Sequence, residues 1–350
     1  MKDPTSRPPE GPALTRLAQA VWFGHSPAGR ILATVLRPLA ALTRRHAREA
    51  RRQIARLARP RPPVLVVGNL LVGGTGKTPL VIGIARALSE RGLKVGLLCS
   101  GYRARRSDAR EVRAADDALE QGDEAVLLAH ATGLPVAAGR RRDQALACLL
   151  KGHPGLDLVI SDDGLQHRYL PRSLELVVFD RRGLGNGLTL PAGPLREPIH
   201  PGQIFPAIAV NDSEAPQGVR ADRIFNFRVE PIGLSRINTE QSMSLAGFRE
   251  LFGGERLCAL AGIGEPGRFF DLLSRHGIAT GRTIALADHA PIAADTLSSI
   301  DEPLIVMTAK DAVKCRDFAD DRCWVLDVEV RPDPQLLDWL QGALLGNETA

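Results

Sequence analysis

The sequence predicts an α/β fold: a parallel sheet domain, then a second, smaller α/β domain, with an amphipathic helical arm in front. Three observations predict it. From Pro63 onward, short apolar runs alternate with helix-length amphipathic stretches, the rhythm of parallel strands covered on both faces. That rhythm breaks at 212–240 and then resumes. The chain has 350 residues, more than the roughly 250–300 at which one core stops growing. The expected division is an arm over 1–61, a first domain over 62–211, a linker over 212–240 and a second domain over 241–350.

The arm carries thirteen Lys or Arg against Asp3, Glu10 and Glu49, a charge of +10. The remainder therefore sums to −5 within a total of +5. The basic character belongs to the arm, and a nucleic-acid reading of the whole chain loses its support. On a helical wheel, residues 30–52 place Leu32, Val35, Leu36, Leu39 and Leu42 on one side. Arg30, Arg37, Arg44, Arg48, Arg51 and Arg52 fall on the other. Such a helix either lies on a membrane surface or packs its apolar side on its own domain. Pro38 should kink or divide it. No uncharged apolar run approaches the ~20 residues that cross a bilayer, and Trp22 and Phe23 could settle at a lipid interface. The polar, Pro-rich first dozen residues do not read as a cleaved signal peptide.

In the first domain the strand candidates are 64–68, 94–98, 134–138, 157–161, 175–180 and 205–210, with helices over 77–91 and 140–151. The stretch 212–240 holds the alternating run RIFNFRVEPIGL, a strand of its own. The second domain offers strands at 256–262, 282–287, 303–308 and 322–328, with a last helix near 334–345. Five cysteines, Cys99, Cys148, Cys258, Cys315 and Cys323, form no C-x-x-C pair. They suit buried thiols in a reduced compartment better than disulfides or a zinc site.

The run VLVVGNLLVGGTGKTPLV, 64–81, is an apolar strand, a Gly-rich turn and Lys-Thr opening a helix, the context of a phosphate loop. Strict G-x-x-x-x-G-K-[ST] spacing would put glycine at Leu71, but Val72, Gly73, Gly74, Thr75, Gly76, Lys77 and Thr78 keep a G-G-x-G-K-T core. The glycines let backbone N–H groups converge on phosphate oxygens, Lys77 adds positive charge and Thr78 offers magnesium a hydroxyl. Pro79 suits an early helix position. In LDLVISDDGLQH a strand ends in Asp162 and Asp163, the placement of a metal-binding acid beside such a loop, or of a solvated turn. The Gly- and Pro-rich segment 181–198, with Arg196 and Glu197, reads as a binding loop. LADHAP places Asp288 and His289 just after a strand, where His289 also fits a surface or core histidine. Asp123 could be an acid stabilised at a helix N-terminus.

Together, VVGNLLVGGTGKTP, GDEAVLLA, SDDGLQHRYL, GNGLTLPAGPLREP, AGIGEPGRFF, LADH and TAKDAVK resemble the tetraacyldisaccharide 4′-kinase family, the lipid A 4′-kinases of Gram-negative bacteria. The resemblance runs from about Trp22 to the final strand. It implies a P-loop NTPase-like first domain that moves the γ-phosphate of ATP, with Mg²⁺, to the 4′-hydroxyl of a tetra-acylated glucosamine disaccharide 1-phosphate, giving lipid IVA. It implies work at the cytoplasmic face of the inner membrane, with the arm touching lipid and no obligate protein partner. By the same resemblance Leu71 to Thr78 hold ATP, and Thr78, Asp162, Asp163 and Glu197 serve the metal. Asp123 is the general base oriented by His289, which requires the second domain to close over the first. Gln166, His167, Asn186 and Arg196 are weaker candidates for substrate or phosphate contact. Three positions depart from the pattern: Leu71 for a common threonine, Ser100 for the arginine of S-R-G-Y, and Ala290 where a second histidine is frequent. The rival is a P-loop GTPase or ATPase switch that regulates or delivers metals. Its N-K-x-D or T-K-x-D signature fails in TAKDAVK, where Lys310 and Asp311 are adjacent.

Overall fold

The computed structural model describes residues 13–24 and 26–346, side chains of 13–16 excepted. The arm's first twelve residues, and the signal-peptide reading made on them, lie outside the described residues. Two helices form the rest of the arm, α1 (Ala13–Phe23) and α2 (Pro27–Ile54). Pro38 does not divide α2. Thr34, whose carbonyl loses its partner to the proline, is exposed and can bond water instead. The predicted apolar side splits in two. Leu32 and Leu36 are half-buried, while Val35, Leu39 and Leu42 stay exposed beside Ile31. What packs inward is a strip of small residues, Ala33 and Ala40, with Thr43 donating to the Leu190 carbonyl at 2.8 Å.

One compact unit comprises Arg30–Glu230 and the chain from Val328. Its sequence of elements is β1 (Val64–Asn69), α3 (Lys77–Glu90), β2 (Val95–Cys99), β3 (Arg110–Val112), α4 (Ala118–Gln121), α5 (Asp123–Thr132), β4 (Val136–Ala138), α6 (Arg142–Gly152), β5 (Leu158–Asp162), β6 (Leu174–Asp180), β7 (Ile204–Phe205), β8 (Ala207–Asn211), β9 (Arg220–Ala221) and β10 (Ile224–Phe227). The described residues form an eight-stranded sheet in the order β10-β8-β6-β1-β5-β2-β4-β3. All its pairings are parallel except that of β3 with β4. β1 lies between β5 and β6, and every residue of β1 is buried. Helices on both faces make a near-continuous apolar strand the stable choice there.

The other unit is Pro231–Asp327 with the described residues before Arg30. After β11 (Glu230–Arg236) come β12 (Ser242–Met243), α7 (Leu245–Phe252), β13 (Leu257–Ala261), α8 (Pro266–Arg275), β14 (Arg282–Ala285), α9 (Ala294–Ser298), β15 (Leu304–Thr308), α10 (Ala309–Cys315) and β16 (Cys323–Glu329). Its sheet runs β12-β11-β16-β15-β13-β14. The core gathers Leu260, Ile292, Leu297, Ile305 and Met307.

The units divide the chain differently from the expected boundaries. The stretch 212–240 contributes strands to both large sheets: β10 extends the first one beside β8, and β11 belongs to the second. The last helix, α11 (Pro334–Leu345), returns to the first unit, where Trp339 lies 5.7 Å from Phe225 and Asp338 pairs with Arg91 at 2.7 Å. An amphipathic helix carries no address for the sheet it covers, so proximity in sequence misassigned it. All five cysteines are free, and burial pushes Cys99 and Cys315 up to about 12.

Candidate active site

β1 delivers the chain to the C-terminal edge of the sheet, where Leu70 and Leu71 are buried and the backbone turns through Gly73 (φ 94°) and Gly76 (φ 85°). Only glycine enters that left-handed region without strain. A side chain would also collide: a Cβ on Gly76 would lie 2.5 Å from Asn211 Nδ2. The loop's carbonyls are strapped from outside. Arg182 donates to Val72 O at 3.1 Å and Gly74 O at 2.9 Å, Asn211 to Thr75 O at 3.1 Å, and Asn69 to Gly73 O at 3.3 Å. Asp180, fully buried at the end of β6, holds Arg182 at 2.9 Å. With carbonyls tied back, the first N–H groups of α3 are left without intrahelical partners, the arrangement that receives an anion. Leu71 offers only its backbone here, since its side chain is buried in the core and its main chain forms a β-bridge with Leu195.

Lys77 and Thr78 open α3 facing the end of β5. Thr78 Oγ1 donates to Asp162 Oδ2 at 2.8 Å, and Asp162 Oδ1 is buried without a hydrogen-bond partner. Burial above all, then the Glu124 carboxylate, pushes Asp162 up to about 6, against the pull of Lys77. An orphaned carboxylate oxygen beside a threonine hydroxyl is a donor pair that a hard divalent cation would satisfy, with phosphate and water supplying the rest. Among the described residues no three His, Cys, Asp or Glu converge on a metal position; Thr78 and Asp162 are a donor pair that fits Mg²⁺. Asp163 has a positive φ of 51°, a conformation that costs energy and collects at functional sites. It lies 3.7 Å from Lys77 Nζ and 2.8 Å from Arg196 Nη1. Desolvation works to raise it, but those two cations win and hold it well below the usual carboxylate range. Behind both acids the buried Arg142 donates to the Asp162 carbonyl at 3.0 Å.

The 181–198 segment folds onto the phosphate loop. Val72 N–H donates to Pro194 O at 3.0 Å and Arg196 N–H to Leu70 O at 2.7 Å. Asn186 staples the segment internally, donating to Ala192 O and accepting from Leu188 N–H. Glu197, read as a metal acid, has both oxygens engaged: Arg51 of α2 donates to them at 2.7 and 3.0 Å, and Gln166 at 2.9 Å. His167 is lowered to about 4 by burial, then by Arg142.

Asp123 is buried and begins α5, where its Oδ1 accepts the Glu124 N–H at 2.8 Å. The turn before it is fixed, because Arg110 donates to Glu120 O and Gln121 O. Glu124 acts on Asp162, Cys99 and Arg142, which puts this helix start at the same sheet edge as the phosphate loop. Ser100, the departure from S-R-G-Y, accepts Tyr102 N–H at 3.0 Å and shapes the neighbouring turn.

His289 belongs to the other compact unit and also has a positive φ, 58°. There Lys310 Nζ lies 3.0 Å from its Nε2 and 3.2 Å from Asp288 Oδ1. Asp311, the acid of the failed guanine signature, is fully buried, accepting from Gly262 N–H at 2.9 Å and pairing with Lys314 at 2.9 Å. Sequence reading missed Arg51, Arg142, Arg182 and Asn211. The available signal was position: Arg182 and Asn211 lie just beyond or at the C-terminal ends of β6 and β8, on the phosphate-loop side of β1.

Known proteins are similar along nearly the whole chain. A family described as tetraacyldisaccharide-1-P 4′-kinase matches residues 30–345. The tetraacyldisaccharide 4′-kinase of Bordetella parapertussis is 43% identical over 345 residues, covering 95% of this chain and 97% of that one. That of Azotobacter vinelandii is 43% identical over 339 residues, covering 94% and 96%. Among solved structures the chain resembles in fold the "apo" form of LpxK from Aquifex aeolicus in complex with ATP, with 23% identity and a TM-score of 0.72 over 89% of this chain and 99% of that one.

Proposed function

The chain belongs to the tetraacyldisaccharide-1-P 4′-kinase family, and from that premise we propose how its residues carry out the transfer. The protein is a kinase that phosphorylates the 4′-hydroxyl of a tetraacyl glucosamine disaccharide 1-phosphate with ATP as donor. One observation carries the reading: a strapped, glycine-lined loop ends in Lys77 and Thr78 directly against Asp162 and Asp163.

ATP lies with its phosphates on the backbone N–H groups of 73–78 and on Lys77. Thr78 and Asp162 hold Mg²⁺, which neutralises phosphate charge when bound. Asp123 accepts the proton of the 4′-hydroxyl as its oxygen bonds to the γ-phosphorus and the bond to the β-phosphate oxygen breaks. By the family resemblance, His289 is a further catalytic residue. Arg196, held by Asp163, supplies a second cation toward the transferring group. Little covalent chemistry is required of the protein, so positioning and charge do the catalysis.

Among the described residues no helix is long and apolar enough to cross a membrane. The exposed stripe of α2, with Val35 at 67%, Leu42 at 61% and Leu39 at 52% exposure, supports docking on the lipid that holds the substrate's acyl chains. We place that docking at the cytoplasmic face of the inner membrane. The test is incubation of the protein with γ-labelled ATP, Mg²⁺ and the tetraacyl disaccharide 1-phosphate. Label in the lipid is the expected result; label released only as inorganic phosphate would make the protein an ATPase and end the kinase reading.

A further inference from the structure

We infer that Arg51 of the amphipathic arm is a positioning residue for the phosphate loop, so that α2 belongs to the catalytic frame as well as to the lipid-facing surface. The observation is a continuous set of contacts within one compact unit. Arg51 spans two carboxylates: Nε and Nη2 donate to Glu197 at 2.7 and 3.0 Å, and Nη1 donates to both oxygens of Glu175 at 2.7 Å. Glu175 stands near the start of β6, where Arg172 also holds it at 2.8 Å. Glu197 follows Arg196, whose N–H donates to Leu70 O at 2.7 Å and whose guanidinium reaches Asp163 at 2.8 Å. Asp163 in turn faces Lys77.

The chemistry explains why arginine stands at this position. The Glu197 side chain is only 7% exposed, and a carboxylate so far out of water needs a partner that satisfies both oxygens. A planar guanidinium can fork onto one carboxylate and still present a further N–H to a second; a lysine ammonium cannot match both geometries. Without Arg51, Gln166 at 2.9 Å is the side-chain donor that remains to Glu197 among the described residues. The segment that stitches to residues 70–72 then loses its charged anchor on α2. Thr43 and Thr189 add two further ties between α2 and that segment, to Leu190 O at 2.8 Å and Ala40 O at 3.1 Å.

The consequence for rate rests on the kinase reading, whereas the consequence for loop order does not, so two readouts separate them. In the full chain, Arg51→Ala should speed amide hydrogen exchange at 70–76 and 188–198 while leaving the 257–261 strand unchanged. With vesicle-borne substrate, Arg51→Ala should lower kcat by about tenfold, with vesicle sedimentation close to wild type. Arg52→Ala, which removes the same charge from an exposed neighbour, should cost far less, and Arg51→Lys should recover part of the loss while remaining folded if Arg51→Ala does not. Unchanged exchange at both segments would overturn the inference even if no kinase activity exists in the wild type. Equal losses of kcat in Arg51→Ala and Arg52→Ala would overturn it too, by reducing Arg51 to a lipid-binding charge.

Discussion

Two lysine–aspartate pairs lie beside two helices that follow strands, Lys77 opening α3 and Lys314 in the last turn of α10, and they have opposite characters. Lys77 approaches Asp163 at 3.7 Å, with 10% and 30% of the side chains exposed. Lys314 meets Asp311 at 2.9 Å, with 4% and 0% exposed. The first pair is longer and less enclosed, and next to it Asp162 keeps a buried oxygen without a partner. The second is closed: Asp311 also accepts from Gly262 N–H and the Thr308 hydroxyl. A site awaiting a ligand leaves electrostatic capacity unspent, whereas a structural lock consumes it. The turn that reads GKT and the turn that reads TAKD look comparably motif-like, and only satisfaction of the polar atoms tells them apart.

The sharpest way to break that contrast is to remove each lysine. Lys77→Ala should lower kcat/KM by about 10³-fold or more, as expected for a cation acting on transferring phosphate, with little change in thermal midpoint. Asp123→Ala should follow, with kcat down roughly 10²–10⁴-fold and the KM for ATP nearly unchanged; a matching rise in KM would make Asp123 a binding residue instead. Lys314→Ala should show the inverse pattern, losing about 3 kcal/mol of stability because Asp311 would be buried unpaired. Denaturant unfolding measures that loss, and kcat per folded molecule should stay near wild type. A Lys314 variant that is stable but inactive would erase the distinction between the two turns.

The comparison also shows what the sequence could reveal. β1, α3 and the G-G-x-G-K-T core were legible because strand, turn and helix are contiguous and each residue type has a local cause. Asp162 and Asp163 were legible for the same reason, as the end of an apolar run. The straps were not. Arg182 and Asn211 sit more than a hundred residues from the loop they hold, and an arginine on a Gly-rich segment looks solvated until the sheet order places β6 beside β1 and β8 next to β6. Arg51 was read as one of several arginines on a polar face, and Glu197 as a metal acid; their pairing is a tertiary fact. The arm shows a subtler miss. Its wheel offered either lipid contact or packing, but α2 packs through alanines and threonine and leaves Val35, Leu39 and Leu42 outside.

A smaller effect sharpens the contrast through pH. His167 stands on the phosphate-loop side, and burial followed by the nearby Arg142 lowers it to about 4 from an ordinary value of 6.5. Between those two values the folded protein keeps this imidazole neutral while the unfolded chain protonates it. The unfolded state then binds more protons, so stability contributed by His167 falls as pH drops from 6.5 toward 4. Asp162, raised to about 6 by burial and Glu124, has the opposite slope, since the folded state holds its proton more tightly than the unfolded chain. A single melting curve would therefore show the two partly cancelling. The difference between wild type and His167→Asn removes the shared groups, Asp162 included. Plotted against pH, the advantage of wild type over the variant should shrink as the buffer is taken from pH 7 to pH 4. A difference that stays flat would mean that His167 is solvated in the native protein and that the polar cluster around the phosphate loop is more open than its burial implies.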